Sequence, residues 1–150
     1  MAGRFFEQFQ VGDRFVHDIH RTVTETDNLL FSTLTHNPQP LHLDAEYARQ
    51  SEFGRIVVNS TFSFSLMIGL SVGDTTLRTM LANLGYDRVK TPQPVFIGDT
   101  LHAETEVVDL RDSRSRPEAG IVVFLHRLIN QRDELVCECQ RTALMHRSPT

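Results

Sequence analysis

Positive charge is scarce in this sequence: 15 Lys and Arg stand against 19 Asp and Glu, a formal net charge of −4. No basic surplus is left to hold a phosphodiester backbone, so a nucleic-acid partner is not expected. Long apolar runs are also missing. Nothing approaches the ~20 residues needed to span a bilayer, and the opening MAGRFFEQF lacks the apolar core of a signal peptide. A cytoplasmic protein with no membrane partner is expected. Cysteine is limited to Cys137 and Cys139. Two apart on a strand, they point to one side, which suits neither an ordinary disulfide nor a complete zinc site. Free thiols in a reducing compartment are expected. None of the seven histidines falls in an H-x-x-x-H or H-E-x-x-H pattern, so no metal is expected. No repeat, low-complexity block or linker divides the chain. With 40% apolar and 23% charged residues, the whole span 1–150 reads as one domain.

What is present centres on Thr24 to Tyr47, TETDNLLFSTLTHNPQPLHLDAEY. Thr24 and Asp27 have the spacing of a capping box, which opens a helix. Leu30, Phe31 and Leu34 then predict one apolar helix face. Pro38 and Pro40 lack an N–H and disfavour helix before them, so the helix should stop near Thr35 to Asn37. Asn37-Pro38-Gln39-Pro40 should be a stiff, extended loop, with His42 at its end and Asp44 capping a short helix through Tyr47 and Ala48. A rigid loop ending in an imidazole suits an acid–base group. The competing reading is that His42 only hydrogen-bonds the turn.

Elsewhere, Phe5 to Gly12 reads as a lead-in with a turn at Gly12-Asp13, and Phe15 to Val23 as a strand. Ile56 to Val58 is a short buried strand or an extended lead-in. Asn59-Ser60 supplies caps for TFSFSLMIGLSV, an apolar run with no wet face, which predicts a helix buried on all sides and ended by Gly73-Asp74. Its free N-terminal amides near Ser60 and Thr61 form a natural site for developing negative charge. Residues 75–93 are mixed, and Asn83 to Asp87 reads as a turn or irregular strand. Gly98-Asp99 is a turn. Leu101, Ala103, Thr105 and Val107 alternate with His102, Glu104 and Glu106, a strand with one wet face. Arg111 to Ala119 is a polar hairpin tip whose arginines are also candidates for a phosphate contact. Ile121–Ile129 and Leu135–Met145 read as strands, and the final HRSPT as frayed. An antiparallel sheet wrapped around one apolar helix, an α+β architecture, accounts for this order.

These segments resemble a known family. FQVGD at Phe9–Asp13, TETD at Thr24–Asp27, PLHLD at Pro40–Asp44, Tyr47-Ala48, Arg55-Ile56-Val57 and PVFIGDTL at Pro94–Leu101 look like a MaoC-like dehydratase. This is the R-specific enoyl-CoA hydratase branch of the hotdog fold. The resemblance implies a homodimer or dimer of dimers and a coenzyme A thioester substrate. It also implies reversible addition of water to a trans-2-enoyl thioester to give the R-3-hydroxyacyl product, and no cofactor. The family's loop carries an aspartate and an asparagine ahead of its histidine. Aligned on His42, these positions hold Asn37 and Gln39, and the histidine-glycine pair opening the buried helix is Asn59-Ser60. The amide-bearing loop is similar to the branch that takes branched or dicarboxylic acyl groups, such as mesaconyl- or itaconyl-CoA.

What the resemblance implies for the site is His42 as acid–base group, Asn37 orienting water, and backbone amides at Ser60 or its neighbour receiving charge from the thioester oxygen. Gln39, Asn59 and Arg88 are candidate substrate contacts. An amide cannot act as a carboxylate base, which keeps a non-catalytic acyl-thioester binder as the alternative. A hotdog thioesterase would want a carboxylate on the buried helix, where 61–73 has none and Asp74 lies at the far end.

Overall fold

The computed structural model describes residues 3–149. A single 3₁₀ turn, Phe6–Gln8, leads to two short strands, β1 (Arg14–Val16) and β2 (Arg21–Thr22). Helices α1 (Glu25–Leu34), α2 (Pro40–Leu43), α3 (Ala45–Arg49) and α4 (Ser60–Thr75) follow, then four long strands: β3 (Met80–Lys90), β4 (Thr100–Asp112), β5 (Ala119–Ile129) and β6 (Leu135–His146). The sheet is antiparallel in the order β1-β4-β5-β6-β3, with β2 also on β4.

Helix α4 lies across β4, β5 and β6. Met67 is buried at its centre, in one cluster with Leu101, Ala103, Leu128, Val136, Cys137 and Cys139. The alternation in β4 is as expected: Leu101, Ala103, Thr105 and Val107 turn inward and the residues between them are partly wet. A second cluster forms where Phe9 meets Phe124 edge-on, ring centroids 5.4 Å apart, so the lead-in closes one end of the sheet. Both cysteines are free and buried, and burial pushes their thiol pKa values up to about 11 and about 12.

Several expectations are corrected. Helix α4 runs through Gly73-Asp74 to Thr75, about 24 Å at 1.5 Å per residue. It is not buried all round: only the stripe Ser63, Met67, Ser71 and Thr75 is fully covered, while Ser65 and Gly69 are exposed. The strand expected over Phe15–Val23 breaks into β1 and β2, because His17 turns into the interior. There its Nδ1 lies 2.7 Å from Asp74 Oδ2 on α4, and its Nε2 lies 2.8 Å from Thr105 Oγ1. Of the two readings of Asn83 to Asp87, the irregular strand holds: β3 lies at the sheet edge, with register shifts along it and a left-handed φ of 52° at Arg88. The C-terminal end is tied down rather than frayed. Arg147 pairs with Glu7 at 3.1 Å, and the Ser148 amide donates to Glu7 at 2.8 Å. Thr150 lies outside the described residues.

Thr105 Oγ1 also lies 2.8 Å from His126 Nδ1, and His126 Nε2 is buried with no partner. Burial first, then the Arg141 guanidinium and His17, hold the His126 pKa well below the usual imidazole value. The unfolded chain therefore binds a proton near pH 6.5 that the native state refuses. Above that pH both states are neutral and the contribution is fully present; below it stability falls, by at most about 1.4 kcal/mol per pH unit. Urea unfolding at pH 7.5 and pH 5.5 is expected to show this loss, and His126→Gln is expected to flatten it.

Candidate functional site

The capping box forms as expected. Asp27 N donates to Thr24 Oγ1 at 3.2 Å, and Thr24 N donates to Asp27 Oδ2 at 2.8 Å. The inner face of α1 does not match the apolar pattern. Its buried residues are Asn28 and Ser32, one turn apart, while Leu30 and Leu34 are exposed and only Phe31 reaches inward, against Phe62. The reason is hydrogen bonding. Asn28 Nδ2 donates to the His42 carbonyl at 2.9 Å, and Asn28 Oδ1 accepts from the Asn59 amide at 3.0 Å. Asn59 Nδ2 in turn donates to Ser32 Oγ at 3.3 Å. Two polar residues of α1 thus hold both the His42 turn and the start of α4.

His42 sits in a helical turn rather than at the end of an extended loop. Pro40 occupies the first position of α2, where its missing N–H costs nothing. The Asp44 amide closes the turn onto the Pro40 carbonyl at 2.8 Å, and Asp44 then caps α3. A second clamp joins this turn to the strand-like segment before α4. The Val57 amide donates to the Leu41 carbonyl at 3.2 Å, and His42 Nδ1 lies 2.6 Å from the Val57 carbonyl. A carbonyl can only accept, so Nδ1 carries the proton and Nε2 is left as a bare base.

His42 and Ser60 line one cavity of about 360 Å³, together with Ser63, Thr91, Gln93 and an apolar wall that includes Val57, Val95 and Val136. That volume is within the range of small-molecule sites. No carboxylate, Lys or Arg belongs to this wall among the described residues. At the start of α4, Asn59 Oδ1 accepts from the Thr61 amide at 3.1 Å and from the Thr61 hydroxyl at 2.6 Å, as an N-cap should. That commits the Thr61 amide. The Ser60 amide donates to no protein acceptor among the described residues.

The remaining sequence candidates lie off this wall. Asn37 Oδ1 accepts the Gln39 amide at 3.1 Å, so the side chain expected to orient water also braces the loop. Gln39 is exposed, Asn59 is buried as the N-cap, and Arg88 is exposed on the irregular edge β3. Asp74, at the far end of α4, is paired with His17. Asn28 was not among the sequence candidates; its partners are 14 and 31 residues away, and its local context is an ordinary first helical turn.

A long helix crossing an antiparallel sheet, with an imidazole turn at the helix N-terminus, is the architecture of a hotdog protein. The chain belongs to the MaoC like domain family, which matches residues 7–124. It is 34% identical over 149 residues to mesaconyl-CoA hydratase of Cereibacter sphaeroides, covering 99% of this chain and 43% of that protein. The chain spans less than half the length of the first curated relatives it matches. Among solved structures, the MaoC-like dehydratase from Rhodospirillum rubrum is 31% identical with a TM-score of 0.87, covering 99% of this chain and 100% of that one. A Mycobacterium tuberculosis protein described as a double hotdog fold is 24% identical with a TM-score of 0.88, and 98% of this chain matches 45% of it.

Asn28→Ala would leave the His42 carbonyl and the Asn59 amide unpaired in the interior, at about 1–3 kcal/mol for each such group. Urea unfolding is expected to show a loss of stability on the order of 2 kcal/mol. Asn28→Asp, which keeps the Asn59 bond but faces an oxygen to the His42 carbonyl, is expected to be no better.

Proposed function

We propose that the protein is a hydro-lyase that reversibly adds water to a 2-enoyl-CoA thioester, giving a 3-hydroxyacyl-CoA. The observation that carries this reading is the bare Nε2 of His42 beside the uncommitted Ser60 amide in one cavity. In the forward direction, Nε2 takes a proton from water and the oxygen adds to the β-carbon. The double-bond electrons move onto the thioester oxygen, and the Ser60 amide at the positive end of α4 stabilises the resulting enolate. The imidazolium, steadied by the Val57 carbonyl, then returns its proton to the α-carbon. Water is consumed, one O–H and one C–H bond are exchanged, and His42 ends as it began. Asn37 serves this scheme by stiffening the loop.

Family membership supports the reaction class, and likeness to a mesaconyl-CoA hydratase supports a short, branched or dicarboxylic acyl group. The absence of a carboxylate from the described wall speaks against thioester hydrolysis, which needs a base of its own on α4. We read the chain as one hotdog unit acting as a homodimer in the cytoplasm, where its two buried thiols remain reduced. The edge strand β3 supports the dimer reading. That strand has one neighbour among the described strands, β6, and it carries exposed Met80, Leu84, Tyr86 and Val89 along its length. An unpaired edge with apolar side chains is a template for a second strand.

Crotonyl-CoA and mesaconyl-CoA are the substrates to assay, by loss of enoyl-thioester absorbance. Turnover of at least one is expected, with His42→Ala reducing it by at least about 100-fold. Retention of most turnover by His42→Ala would refute the scheme. Asn37→Asp asks whether a carboxylate in the loop raises the rate. Sedimentation velocity is expected to give a particle of two chains, and Leu84→Lys with Val89→Lys to shift it toward one.

A further inference from the structure

We propose that Ser63 is a catalytic residue of this same site: its hydroxyl and the Ser60 amide together hold the thioester oxygen. The inference rests on the hydratase reading and adds a residue to it.

Ser63 is 2% exposed, lines the cavity with His42 and Ser60, and its Oγ is buried with no hydrogen-bond partner. A buried hydroxyl without a partner is costly and uncommon. In a helix, the usual escape is to bond a carbonyl three or four residues back. The other buried hydroxyls of α4 take it: Ser71 donates to the Ile68 carbonyl at 2.7 Å, and Thr75 to the Ser71 carbonyl at 2.5 Å. For Ser63 those carbonyls belong to Ser60 and Asn59, and its Oγ bonds neither; that of Asn59 already accepts from the Phe62 amide at 3.0 Å and the Ser63 amide at 3.4 Å. Ser63 thus carries the buried hydroxyl of α4 that is left without a partner among the described residues.

Position decides what this hydroxyl can serve. Helical side chains lean toward the helix N-terminus, so the surface that Ser63 covers lies over the turn containing Ser60. An enolate oxygen has lone pairs for two donors. The Thr61 amide, the natural second donor, is committed to Asn59 Oδ1. Ser63 Oγ–H is the polar group on the same face that can replace it. The cavity wall around these two donors is largely valine and proline, where a hydrogen bond to developing charge is worth more than in water.

The test uses two readouts on the full chain, wild type beside Ser63→Ala and Ser63→Thr. The first is steady-state hydration of the better enoyl-CoA substrate. The second is binding of acetoacetyl-CoA, whose enolate absorbs in the near ultraviolet and reports oxyanion stabilisation without turnover. Ser63→Ala is expected to lower kcat on the order of 100-fold with little change in KM. It is also expected to lose the enolate band and to keep or raise Tm, since an unpartnered hydroxyl has been removed. Ser63→Thr, which keeps the donor, is expected to recover the band. If Ser63→Ala keeps kcat and the band, or if it loses Tm in step with activity, the hydroxyl is a packing group and the proposal is overturned. If wild type hydrates no enoyl-CoA but raises the band, and Ser63→Ala does not, the hydratase reading fails while the oxyanion site stands. If wild type does neither, both fall.

Discussion

The site depends on the side-chain amide of Asn28. Nearly fully buried, it bonds the carbonyl of His42 with one end and the amide of Asn59 with the other. Three segments far apart in sequence, the first turn of α1, the His42 turn and the start of α4, are thereby fixed to one another. A carboxamide suits the task because it offers one donor and one acceptor in a plane. The geometry also leaves no doubt over its orientation: the nitrogen must face the carbonyl and the oxygen must face the amide. The cost falls on α1, which spends its inner face on hydrogen bonds and leaves three leucines, Leu29, Leu30 and Leu34, in solvent.

The chemistry follows from how few groups remain uncommitted. Val57 claims Nδ1 of His42 and leaves Nε2. Asn59 claims the Thr61 amide and leaves that of Ser60. No carbonyl of α4 or its cap claims the Ser63 hydroxyl, which is left without a partner among the described residues. In the proposed scheme these are the base and the two donors that addition of water to an enoyl thioester requires, and their residues line one cavity. The loop position where the family carries an aspartate holds Asn37, whose Oδ1 accepts the Gln39 amide. In the proposed scheme a single imidazole takes the proton from water and gives it to the α-carbon.

Much of the fold was legible because it is written locally. Thr24 and Asp27 cap α1, Gly98 (φ 95°) makes its turn, and the alternation in β4 faces the side it should. That His42 and Ser60 would meet at one cavity was legible, the first by its proline-braced context and the second by its place at a helix start. What was missed depends on distant partners. A leucine count gave α1 an apolar face because nothing near Asn28 and Ser32 reveals that their partners come from the turns before and at α4. The short apolar run over α4 implied burial all round, but Ser65 and Gly69 face outward and do not pack within the chain. His17 broke a strand for the sake of Asp74, 57 residues away. Ser63 looked like filler in an apolar helix, and only its unpartnered hydroxyl sets it apart.

The most direct test of this account is the protonation pattern of His42 in the free protein, read by heteronuclear NMR of its two ring nitrogens at a pH where the ring is neutral. The account expects the proton on Nδ1, donated to the Val57 carbonyl, with Nε2 bare, and expects that pattern to weaken in Asn28→Ala. A neutral ring with its proton on Nε2 would mean that the base is turned away from its work, and would contradict the assignment of His42 as the group that activates water.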